Sequence, residues 1–163
     1  MLTRNRLSPA LLGLGLALGI AGSPALAAGP THSHGAAAGP ALELQLDNGA
    51  KWATDDALRR GMTGMRETMT AALPRIHAGG MARSDYEALA DRVMAQVDYV
   101  VENCRLPEEA DAQLHLVIAQ ILDGIGVMKD AGADGAEGAV VVVRALDAYG
   151  DAFNHPGWTP MAH

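Results

Sequence analysis

The chain has a single cysteine, Cys104, so no disulfide can form within it. In an oxidising compartment a lone thiol is buried, ligates a metal or pairs with another molecule. Lysine is almost as scarce. Lys51 and Lys129 are the two present, and acids outnumber bases by 19 to 12. A chain of formal net charge −7 carries no electrostatic footprint for nucleic acid or for an anionic membrane surface. There is no Cys-x-x-Cys-His, which excludes covalent haem attachment, and no glycine-rich phosphate loop or nucleophile elbow. The acid pairs Asp55-Asp56 and Glu108-Glu109 stand where helices are expected to start, complementing the helix dipole rather than forming an acid–base couple. These absences argue against an enzyme.

What is present begins with an export signal. Arg4 and Arg6 precede an apolar run from Leu7 to Gly22, and Ala25-Leu26-Ala27 has the small-x-small pattern read by signal peptidase. The run is interrupted by Pro9 and is shorter than the roughly 20 residues of a membrane span. Cleavage near Ala27 removes two arginines and no acid, so the mature, periplasmic chain is more acidic still. Residues 28–41 hold glycine, proline and alanine with His32 and His34 and read as a leader without core-forming residues. Leu42, Leu44 and Leu46 alternate with polar residues ahead of the turn signal Asp47-Asn48-Gly49, giving an extended arm over 42–53 with no second strand to pair with.

The remainder has helical periodicity. Leu58, Met62, Met65, Met69, Ala72 and Ile76 form one stripe, with Thr54 as the expected cap and Gly79-Gly80 as the end. A second helix is expected behind a Ser84/Glu87 capping box, a third with Pro107 as its first residue, and a fourth from about Ala136 to Phe153. Short links favour antiparallel neighbours. The expectation is an all-α, antiparallel up-down-up-down four-helix bundle over 54–155, with an extended N-terminal arm and a short C-terminal tail at 156–163.

This topology gathers the start of the first helix, the end of the second, Cys104 and the tail at one pole. The tail carries His155, Trp158, Met161 and His163. Met62, Met65 and Met69 share a helix face. Methionine on such a face ordinarily fills the core, but thioether sulfur also selects Cu(I). His115 falls at the edge of its stripe, roughly 12 Å into its helix and level with Met62. It reads as an interhelical hydrogen-bond partner or, with Met62 and Met65, as a copper site. His32 and His34 suit Cu(II), zinc or nickel, joined by His155 or His163 from the same pole.

Two resemblances follow from these residues. Asp56-Ala57-Leu58-Arg59-Arg60-Gly61-Met62 and Ala148-Tyr149-Gly150 resemble segments of the cytochrome c-prime and soluble b-type cytochrome bundles. That resemblance implies the fold and makes Met62 an axial haem ligand, while Gly150 stands where the second ligand, a histidine, would be. Lys51-Trp52-Ala53-Thr54-Asp55, Glu102-Asn103-Cys104-Arg105-Leu106, Ala110-Asp111-Ala112-Gln113-Leu114-His115 and His155-Pro156-Gly157-Trp158 resemble a DnrO-like family of small secreted proteobacterial proteins, which implies no activity. The leading functional expectation is an exported copper-binding protein used for buffering, sensing or delivery. The alternative is a metal-free interaction or structural module that meets a protein partner at the Trp52/Trp158 pole, and a haem cytochrome stands third.

Overall fold

The computed structural model describes residues 42–161. Four helices follow one another: α1 (Asp56–His77), α2 (Arg83–Asn103), α3 (Glu108–Lys129) and α4 (Gly135–Ala152). Among the described residues there are no strands, only two isolated bridges, and no helix is long and apolar enough to cross a membrane. Consecutive helices run antiparallel. Lys129 at the end of α3 pairs with Asp91 in the first half of α2 at 2.5 Å, and Trp52 just before α1 bridges to Phe153 just after α4.

The stripes lie where periodicity puts them, but three caps do not. Asp55, not Thr54, caps α1, accepting the Leu58 amide at 2.7 Å. Thr54 is committed elsewhere, since its hydroxyl donates to the Asn154 carbonyl at 2.7 Å. At α2 the expected Ser84/Glu87 box is replaced by Asp85, whose carboxylate accepts the Ala82 amide at 2.9 Å and pairs with Arg75 at 2.7 Å. Glu87 instead pairs with Arg83. Pro107 occupies the cap position of α3, with φ −55° and an extended ψ of 150°, so the helix proper begins at Glu108. Asp134 caps α4, which starts at Gly135. Pro74 is accommodated in the last turn of α1, and Gly79, at φ +61°, reverses the chain beyond it.

Glycine sets how closely the helices approach. A Cβ on Gly124 would stand 2.7 Å from the Gly138 carbonyl oxygen, and one on Gly138 would stand 2.6 Å from that of Gly124. The α3 and α4 backbones therefore touch there. On the other side of the bundle, a Cβ on Gly61 would overlap Val100 of α2. The α1–α4 seam is much thinner than the α1–α2 and α3–α4 seams. The core is aliphatic and sulfur-rich, with Met62, Met65, Met69, Leu89, Ile121 and Leu146 fully buried around Tyr149 and Phe153.

Two glycines on α3 give a matched test. Gly126 faces open space, so Gly126→Ala should stabilise the protein by about 1 kcal/mol through helix propensity. Gly124→Ala adds the same methyl against a backbone and should cost about 1–3 kcal/mol. Urea unfolding of both variants checks this, and shifts of the same sign would contradict the packing described.

Candidate functional site

The segment after α4 does not leave the bundle. It turns back as a strap along the seam between α1 and α4. His155 lies between two hydroxyls: Tyr149 from α4, 2.9 Å from Nδ1, and Thr63 from α1, 3.4 Å from Nε2. Both contacts are satisfied when Tyr149 donates to Nδ1 and Nε2–H donates to Thr63. Trp158 packs edge-on to Tyr149, with ring centroids 4.9 Å apart, and its indole fills the space over Gly150 that any side chain there would need. Arg66 of α1 lies against the Trp158 ring and donates to the Thr159 carbonyl at 2.7 Å. Met161 is buried at the far end, its amide 3.5 Å from an Asp147 carboxylate oxygen. The strap thus ties α1 to α4 where the helices themselves make little contact.

The arm runs down the opposite side of α4. Asp47 and Ala50 close a tight turn with two backbone hydrogen bonds, and Asn48 and Gly49 take the positive φ that such a turn needs. The Trp52 indole N–H reaches back to the Gln45 carbonyl at 2.7 Å, and the Gln45 amide donates to Gln113 of α3 at 2.9 Å. Leu42 and Leu44 lie half-buried against the core, while Leu46 stays 44% exposed. The apolar edge expected of the arm is therefore two leucines rather than three.

Between arm and strap the outer face of α4 is left open as a trough. On the arm side is a cleft of about 730 Å³, lined by Leu42, Leu44, Gln120 and Arg144. On the strap side is one of about 400 Å³, lined by Lys51, His155 and Trp158. Asp147 and Asp151 border both. The amide oxygen of Gln120 is buried here without a hydrogen-bond partner, as is the indole nitrogen of Trp158.

The residues singled out for metal binding are not drawn together in this way. Met62, Met65 and Met69 have no solvent exposure, whereas the His115 side chain is 74% exposed and its Nδ1 lies 2.9 Å from the Asp111 carbonyl one turn back. The ring therefore bonds within its own helix and stands outside the layer that holds the methionines. It lines a small hollow of about 90 Å³ with Cys104 and Asp111. Burial, together with Asp55 and Asp111, pushes the Cys104 thiol up to about 12. Both ring nitrogens of His155 face hydroxyls, and His32, His34 and His163 lie outside the described residues. Among the described residues no group of three or more His, Cys, Asp or Glu is arranged to hold a metal ion.

Asp147, Asp151 and Gln120 were not anticipated from sequence. The available signal was the four-residue spacing of the two acids on the outer face of a helix, which reads equally as a solvated surface. No protein-family model, curated protein or solved structure matches this chain.

The buried groups at this pole fix a pH dependence. Burial holds His155 below its ordinary value, reinforced by Arg59 and Arg66. Its contribution is complete above about pH 6.5 and is lost as pH falls through the lower folded-state value. Burial raises Cys104 and Tyr149, so their contributions are complete at neutral pH and are lost as pH climbs, from about 9 through about 12 for Cys104 and from about 10 upward for Tyr149. Burial would also raise Asp55, but the Arg105 and Leu58 amides overcome it and hold the carboxyl low, which adds a loss at strongly acid pH. The melting temperature should be flat near neutrality and fall on both sides. Replacing His155 by Gln should flatten the decline just below about pH 6.5. An identical acid limb in His155→Gln would contradict this.

Proposed function

We propose that the mature chain is an exported, non-catalytic binding module that meets a protein partner at the trough over α4. The supporting observation is that two open clefts share Asp147 and Asp151 as a common border, with the arm as one wall and the strap as the other. Both walls are pinned: the arm by Trp52 and Gln113, the strap by Tyr149, Arg66 and Gly150. A preformed, rigid-walled concavity costs little ordering on binding. Trp52 and Trp158 belong to this account as the groups that hold the walls, not as exposed anchors.

Copper handling is the second reading. What favours it is the placement of Met62, Met65 and Met69 on one buried face of α1. Their complete burial favours the core role of these residues. Haem stands further off, because Trp158 fills the space beside Gly150 where a histidine side chain would have to extend.

A photo-crosslinking residue at Leu46, on the rim of the larger cleft, should yield a discrete adduct in the periplasm. The same residue at Ala95, on the exposed side of α2, should not. Equal labelling at both positions, or none at Leu46, would overturn the trough reading. Met62→Leu should leave any Cu(I) affinity unchanged and cost less than about 1.5 kcal/mol in stability, since volume is nearly conserved. A clear drop in Cu(I) affinity would restore the metal reading.

A further inference from the structure

His155 is built into the closure of the α1–α4 seam in its neutral form. Tyr149 is fully buried and stacked on Phe153, and His155 is the one hydrogen-bond partner of its hydroxyl among the described residues. Burial raises the phenol, so it keeps its proton and donates it to Nδ1, while Nε2–H is taken by the Thr63 hydroxyl on the other side. A second proton on the ring would set Nδ1–H against the phenol O–H. Turning the phenol away would strand its proton in an apolar layer. Nor do the surrounding charges welcome a cation. Arg59 and Arg66 act on the ring from α1, while Lys51 of the arm and Asp147 and Asp151 of α4 border the cleft that it lines. Burial and the two arginines prevail over the carboxylates.

The strap can also part from the bundle without undoing it. Asn154 is clamped on both sides, its amide donating to the Trp52 carbonyl at 2.8 Å and its carbonyl accepting from the Thr54 hydroxyl at 2.7 Å. Beyond that clamp the chain passes through Pro156 and Gly157, at φ +80°, and holds to α1 and α4 through His155, Trp158, Thr159 and Met161. The α1–α2, α2–α3 and α3–α4 seams are helix against helix and do not pass through it.

We propose that residues 155–161 form a proton-operated latch: uptake of one proton at His155 frees the strap from the α1–α4 seam while the four helices stay folded. The Asn154 clamp is the hinge. Once free, the imidazole regains its ordinary value of about 6.5. Each pH unit below that favours the open form by up to about tenfold, until the ring is protonated in place. The latch does not depend on the trough being a binding surface. Where the trough is one, opening removes its strap-side wall, and a partner held there is let go in acid.

Amide hydrogen exchange followed by NMR on the whole mature chain tests this, with rates corrected for the intrinsic pH dependence of exchange. Protection at the Trp158 and Met161 amides should be lower than at buried α2 positions such as Val93 and Val97. It should fall by up to about tenfold per pH unit below about 6.5, and respond little to low concentrations of urea, because a local opening exposes little surface. The nitrogen signals of the His155 ring should show the Nε2–H tautomer at neutral pH and titrate below the ordinary value. In His155→Gln the strap should lose this pH dependence. Should glutamine fail to hold the strap at any pH, the ring signals and the exchange of the unaltered protein decide.

Equal protection of strap and α2 at every pH would mean that the strap opens only with the whole bundle, and overturns the latch. Strap protection that stays level below about pH 6.5 overturns it too, as does a slope that survives in His155→Gln. An imidazole that titrates at or above its ordinary value, or that carries its neutral proton on Nδ1, also overturns it.

Discussion

The seam between α1 and α4 is closed from outside the helices, and the rest of the pole depends on that closure. The other seams are self-sufficient, with glycines bringing α3 onto α4 and α1 onto α2. Where α1 faces α4 the link is a relay of non-helical groups. Trp52 exchanges backbone hydrogen bonds with Ala152 and Asn154, Thr54 bonds to Asn154, and His155 lies between Thr63 and Tyr149. The Tyr149 hydroxyl is in a fully buried residue, so losing its imidazole partner would leave a polar group stranded in the core. That penalty makes His155 a structural residue before it is anything else.

The same closure builds the surface. Trp158 reaches its place only because residue 150 has no side chain, and its ring then stands as one wall of the trough while Arg66 backs it from α1. The arm forms the other wall through an equally local device, the Asn48-Gly49 turn that lets Trp52 reach Gln45. The concavity over α4 thus owes its walls to the two chain segments that flank the helices. The helices supply only the floor and its carboxylates.

This division explains what the sequence could reveal. Helix stripes, breaks and antiparallel order follow from 3.6-residue periodicity and short links, and Met62, Met65 and Met69 fall in the core as such a stripe requires. The caps were misassigned because candidates were judged by local preference, whereas Thr54 is taken by Asn154 and Asp85 has Arg75 beside it. The strap was read as a departing tail because periodicity is silent about where a non-helical segment docks. Equal height along the bundle suggested that His115 meets Met62. Height does not give azimuth, and the ring points outward to Asp111 and toward the hollow beside Cys104. Gly150 was the overlooked clue, a glycine within a helix beside a buried tyrosine, explained by the indole that covers it.

Hydrogen exchange on Trp158→Ala, compared with the unaltered protein, tests the closure most directly. If the strap holds the seam, protection should fall in α1 from Thr63 to Thr70 and in α4 from Leu146 to Ala152, with the α2–α3 pair retaining its protection. An even loss over all four helices, or none in α1 and α4, would contradict the account.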